Sequence, residues 1–139
     1  MYNAQNLIPK KIRAFALVLV LIGVGAGISG YFKPDMVVPG FTADTAAHNT
    51  IAMMFAGRNL AMGIAMLLVL LWGAPEHFAL IFGIRFMMES ADVTATLANA
   101  AQISTVLPLV VFLCVFLALE AYVVVTMMKI IQKRDTQIT

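Results

Sequence analysis

Apolar residues gather into four long runs, separated by short polar or breaker-rich segments. The runs cover about 14–31, 50–72, 78–101 and 104–128. Each is close to the ~20 residues an α-helix needs to cross a hydrocarbon core of about 30 Å. The pattern predicts an all-α polytopic membrane protein, an up-down bundle of four transmembrane helices forming one domain over residues 1–139. The turn Gly73-Ala74-Pro75-Glu76-His77 is short, so the second and third spans are expected to be antiparallel neighbours. The link near Gln102 is shorter still, and Pro108 is expected in the first turns of the fourth span, where a missing N–H costs little. The one long link, Phe32 to Asn49, holds Pro34, Pro39 and Gly40.

Composition agrees with a lipid solvent: 62% of the residues are hydrophobic and 12% charged, against roughly 45–50% and 25% in soluble domains. The net charge of +2 gives no case for nucleic acid, but the placement of the basic residues is informative. Lys10, Lys11 and Arg13 precede the first run, Lys129, Lys133 and Arg134 follow the fourth, and of the outer loops only Phe32–Asn49 has a basic residue, Lys33. By the positive-inside rule both termini are expected in the cytoplasm, in a bacterial inner membrane. A rival reading takes the basic start, the first apolar run and Gly27-Ile28-Ser29 as a cleavable signal peptide, which would leave three spans. Against it, Gly23 and Gly27, like Ala26 and Gly30, stand four apart, which thins one helix face for close helix contact.

Charges within the apolar runs change the picture most. Arg58, Arg85, Glu89, Asp92 and Glu120 all fall inside them. Each costs about 2.5–3.5 kcal/mol at the bilayer centre, on the order of 12–17 kcal/mol together, which rivals the stability of a whole domain. They are expected to face inward and pair. Arg85, Glu89, Asp92, Thr96 and Asn99 are spaced by four, three, four and three residues, one narrow polar stripe on the third helix. Met87 and Leu97, off the stripe, are left for lipid or packing. Counted from the cytoplasmic side, Arg85 lies roughly 10 Å in, Glu120 about 13 Å, Glu89 about 16 Å, Arg58 about 18 Å and Asp92 about 21 Å. The expected contacts are Arg58 with Asp92 or Glu89, and Arg85 with Glu120 or Glu89. Two cations face three carboxyls, so one carboxyl can stay protonated. Glu120, among Leu113, Phe116, Val124 and Met127, is the first candidate, since burial favours a neutral carboxyl.

Other signals are weaker. His48 and Asn49, with Thr50, are expected to cap the second helix. Glu76 and His77 are read as solvated turn residues, and Trp72 and Tyr31 as interfacial anchors. Cys114 stands alone, which excludes an internal disulfide and a multi-cysteine metal site. The ten methionines read as adaptable packing rather than a copper relay. The two histidines are expected on opposite sides of the membrane, so no metal site is predicted, and Ser90 has no base on its own face.

Ala56-Gly57-Arg58-Asn59-Leu60-Ala61-Met62-Gly63 resembles the G-x-R-D-L-x-x-G signature of small DoxX-like bacterial membrane proteins and related families of undefined function. The segment around Asp92 and the Pro-Gly-Phe of the outer loop are similar to theirs, and the likeness covers about Ala14 to Tyr122. Asn59 stands where an acidic residue is commoner, and Ala91 where a glycine usually precedes the aspartate. The resemblance implies a four-helix bundle in the cytoplasmic membrane, with Arg58 and Asp92 as the residues carried over. Some members look like subunits of quinone-linked redox complexes, and others assist assembly of partners.

Three functions are compatible with these features. The first is binding of a lipophilic or amphipathic small molecule, a quinone or a lipid, in a buried midplane pocket lined by Arg58, Asn59, Arg85, Glu89, Asp92, Thr96, Asn99 and Glu120. The second is a membrane enzyme using Asp92, Glu89 or Glu120 as acid or base. The third is an accessory subunit, bound to a membrane partner or a second copy of itself, whose charges are purely structural. No cofactor is required by the sequence, a quinone being the one candidate.

Overall fold

The structure, a computed structural model, describes residues 7–33, 45–99 and 103–137. Four helices follow one another: α1 (Lys10–Phe32), α2 (Ala46–Trp72), α3 (Pro75–Asn99) and α4 (Ile103–Thr136). Three are long and apolar enough to cross a membrane: α1, α2 and the stretch Leu107–Thr136 of α4. At 25 residues α3 matches them in length, but its polar stripe lowers its hydropathy. Large apolar side chains cover much of the outside, among them Leu21 at 66% exposure, Met54 at 71% and Met87 at 71%. A surface of that kind suits lipid tails better than water.

The chain forms two compact units, Pro9–Trp72 with α1 and α2, and Gly73–Thr139 with α3 and α4. In the first, Ile12, Ala16, Leu19, Gly23, Gly27 and Gly30 are buried on one face of α1. The matching face of α2 buries Ala52, Ala56, Gly63 and Met66. Gly23 lies against Asn59 and Gly63, Gly27 against Leu60, and Gly57 against Tyr31, so the two helices run antiparallel. Glycine is needed at this seam because backbone meets backbone. Dispersion between closely approached helices, rather than water exclusion, drives such contacts in lipid.

The second unit is also an antiparallel pair. Arg134 near the end of α4 meets Glu76 in the first turn of α3, and Arg85 meets Glu120 further along. The face of α3 towards α4 opens with Phe78 and Phe82, both buried, whose rings stack at 6.3 Å between centroids. The same four-and-three spacing then carries it through Arg85, Glu89, Asp92 and Thr96. On α4 the buried face runs through Val110, Glu120, Val123 and Met127.

Several boundaries differ from expectation. The second helix begins at Ala46, a turn before the predicted span, and Thr45 caps it: its Oγ1 accepts a 3.1 Å hydrogen bond from the His48 N–H. Thr50 instead turns its hydroxyl back to the Ala46 carbonyl at 2.9 Å. His48, Asn49 and Thr50 are therefore inside the helix, and the preceding threonine takes the capping role. Pro108 sits within α4, five residues after Ile103, past the four positions whose N–H groups are free anyway. It deprives one carbonyl of its usual donor. The fourth helix does not stop at Met128 but runs to Thr136. Its 34 residues span about 51 Å, far more than a hydrocarbon core of about 30 Å, because Lys129 to Arg134 are good helix formers. The predicted outer-loop features Pro34, Pro39 and Gly40, with Gln102, lie outside the described residues.

Candidate functional site

The site is built by three side chains on α3 and α4. Arg85 and Glu89 stand one turn apart on α3, so their side chains meet on one face. Arg85 donates through Nε to Glu120 Oε1 at 2.8 Å and through a terminal nitrogen to Glu89 Oε1. One planar guanidinium thus holds two carboxylates, a geometry its fixed fork of donors favours. Glu120 is fully buried, while Arg85 and Glu89 keep 12% and 13% of their side chains accessible. The other oxygens, Glu89 Oε2 and Glu120 Oε2, are buried without an N–H donor among the described residues, as is Glu76 Oε2, and the Glu89 and Glu120 carboxyls lie within hydrogen-bond reach of each other. The depth expectation had put Glu120 between Arg85 and Glu89, and Arg85 reaches both.

Further along the stripe, Asp92 and Thr96 are half-buried, and the Thr96 hydroxyl donates to the Asp92 carbonyl at 2.7 Å. The backbone of Asn99 closes α3, and its side chain lies outside the described part. Off the stripe, Met87 and Leu97 are exposed at 71% and 46%. Ser90 turns its hydroxyl back to the Phe86 carbonyl at 2.7 Å.

In the first unit Arg58 is half-buried, its guanidinium 5.0 Å from the centroid of the Phe55 ring, a cation–π contact. Asn59 donates its side-chain amide to the Phe55 carbonyl at 2.9 Å, one turn back on its own helix. Arg58 and Asn59 belong to α2, whereas Asp92 and Glu89 belong to α3 of the other unit.

A second polar contact closes the end of the α3–α4 pair. Arg134 binds Glu76 at 2.5 Å. Nearby, His77 Nδ1 accepts from the Ala74 N–H at 3.0 Å, so the turn is hydrogen-bonded rather than simply solvated. A fourth span that ends at Met128 does not include this clamp, since α4 runs on to Thr136. The signal was present, since Arg134 follows Glu120 by two heptads and so shares its face. A hydrogen bond from its own backbone N–H, with the Arg134 guanidinium adding to it against a partial desolvation, holds the Glu76 carboxyl below its ordinary value. Its folded value is the lower one, so its contribution to stability is full above the unfolded value near pH ~4.3 and disappears as pH falls through the folded one. Because Glu76 is 42% exposed, Glu76→Gln is expected to cost under about 1 kcal/mol. Unfolding midpoints measured at neutral and acidic pH check this: the cost should fade in acid.

Among the described residues no group of three histidine, cysteine, aspartate or glutamate side chains could hold a metal ion. Comparison with family models, with curated proteins and with solved structures returns no match.

Proposed function

We propose that the chain is a small integral protein of a bacterial cytoplasmic membrane, with both termini in the cytoplasm and α3 as a fourth span of an up-down bundle. Its Arg85–Glu89–Glu120 cluster binds the polar head of a lipophilic or amphipathic small molecule, of the quinone or lipid class. The observation that carries this reading is a fully buried carboxyl, Glu120, brought together with Glu89 on one guanidinium inside the α3–α4 pair. Ionisable side chains inside a span are costly, and such residues mark ligand or proton sites by default. The third helix can cross a bilayer despite its charges because α4 covers Arg85 and Glu89 with Glu120. The DoxX-like signature at residues 56–63 supports the same bundle. A second reading, acid–base chemistry on the bound molecule, is favoured by the two carboxylates meeting at one site.

Native mass spectrometry after extraction in mild detergent is expected to show a retained lipophilic molecule, released by Glu120→Gln. A bare protein that instead keeps a stoichiometric protein partner would move the function to an accessory subunit. Arg58→Ala and Asp92→Ala variants that insert and fold but lose the ligand would count against a purely structural role for these residues. Topology has its own check. In a Cys114→Ser background, Thr45→Cys should react with an impermeant maleimide on intact cells, and Lys133→Cys only after permeabilisation. Labelling of both from outside would overturn the orientation.

A further inference from the structure

The end of α4 carries a surface that neither the Arg85 cluster nor the packing against α3 uses. The apolar part of α4 stops at Met128, and the helix continues from Lys129 to Thr136. Those two turns rise about 12 Å, while the headgroup layer on each side of a bilayer is roughly 5–8 Å deep. With the apolar run in the hydrocarbon, the extension stands in the headgroups and the water just beyond them. Lys129, Gln132, Lys133 and Thr136 share one helix face by their spacing of three and four residues, and all four are exposed. With Thr126 and Ile130 they line an open groove of about 740 Å³.

The charges around this groove are unevenly paired. Asp135 also lines it, but Arg134 bonds that carboxylate at 3.0 Å and holds Glu76 of α3 as well. Among the described residues Lys129 and Lys133 take part in no ion pair. Two like charges four residues apart on a helix repel each other. The helix dipole favours cations in the last turn, where Lys133 and Arg134 stand, but Lys129 lies a turn earlier and gains little from it. An anion held between the two ammoniums removes the repulsion, and at this depth the abundant anion is a lipid phosphate. On the hydrocarbon side the same face continues through Tyr122 and Val125, exposed at 63% and 51%, which leaves a track for acyl chains.

We infer that the Lys129–Lys133 face of α4 is a docking surface for the headgroup of an anionic phospholipid. The phosphate sits between the two ammoniums, whose aliphatic stems lie along the helix and carry the charge to the headgroup layer. The inference rests on α4 crossing the membrane, which its length and composition allow, and not on a ligand at the Arg85 cluster.

The test titrates the full chain, in a neutral maltoside detergent, with phosphatidylglycerol, with phosphatidylcholine of the same acyl chains, and with inorganic phosphate. Native mass spectrometry reads the lipid adducts, and circular dichroism checks that each variant keeps its helices. The expected result is a preference for phosphatidylglycerol over phosphatidylcholine. Lys129→Gln should reduce it on the order of fivefold, and Lys129→Gln with Lys133→Gln about thirtyfold. Arginine at both positions should retain it. Lys10→Gln with Lys11→Gln, an equal change of net charge at the start of α1, should leave most of it. Equal binding of the two lipids, or an equal loss in the Lys10 and Lys11 pair, overturns the inference. Displacement of phosphatidylglycerol by inorganic phosphate marks a site for the free anion and also overturns it, as does a stoichiometric protein partner lost from the double variant in place of lipid. A ligand released by Glu120→Gln stands or falls separately from all of these results.

Discussion

Replacing Arg85 with Met is expected to unfold the α3–α4 pair more readily than any other single change there. The substitution keeps length and apolar stem but removes the cation that bonds both Glu120 and Glu89. Glu120 is fully buried and Glu89 only 13% exposed, so neither carboxylate can recover its hydration. Breaking a buried pair by deleting one partner typically costs about 3–5 kcal/mol. Arg85→Lys is expected to fail as well, because a single ammonium does not reproduce the two-pronged geometry. The informative control removes the whole cluster. An Arg85→Met, Glu89→Leu, Glu120→Leu triple variant no longer buries the charges of the cluster, and its stability is expected to match or exceed the wild type by about 1–4 kcal/mol. Unfolding in detergent, followed by circular dichroism, measures all of these. Wild-type stability in Arg85→Met would mean that the guanidinium is not holding the carboxylates. A stable triple variant that has also lost its ligand would show that the charges are kept for function, at a cost in stability.

The second large effect is expected at the α1–α2 seam. A Cβ added at Gly27 would stand 2.6 Å from the Leu60 Cβ and 2.8 Å from the Leu60 Cα. The nearest atoms belong to the backbone or lie next to it, so no rotamer change relieves the clash and the helices must separate. Gly27→Leu is therefore expected to cost at least the about 1–3 kcal/mol of ordinary overpacking. Gly25 lies two residues away with nothing within 4 Å of an added Cβ. Gly25→Leu is expected to be neutral or mildly stabilising, since glycine is about 1 kcal/mol poorer than the best helix formers. Comparing the unfolding midpoints of the pair tests the seam independently of total hydrophobicity, which the two variants share. If both behave alike, α1 and α2 do not meet at Gly27.

Much of the helical architecture was legible because lipid imposes a simple length rule. A run of about 20 apolar residues has one stable backbone form in a membrane, the hydrogen-bonded helix. The spacing of Gly23 and Gly27 foretold a thin face, and the face is the one that meets α2. The spacing of Arg85, Glu89, Asp92 and Thr96 foretold one stripe, and its less exposed side is where they lie. Helix ends were less legible. Thr45 rather than His48 caps α2, and α4 runs on past Met128, because a cap depends on local dihedrals and hydropathy says nothing about where a polar helix stops.

By itself, the sequence determined four helices, their order and the faces that cannot remain in lipid, since all of these follow from helical periodicity and the cost of burying charge. Which cation meets which carboxylate was a choice it left open, as Arg85 had Glu120 and Glu89 within equal reach along the helix axis. Only the tertiary structure decided that Arg85 holds both at once, because that depends on the approach of two helix axes and on a planar side chain able to fork between them. The same approach brought the Glu89 and Glu120 carboxyls within hydrogen-bond reach of each other inside the pair. No periodicity can reveal that, because it is a property of packed atoms rather than of residue spacing.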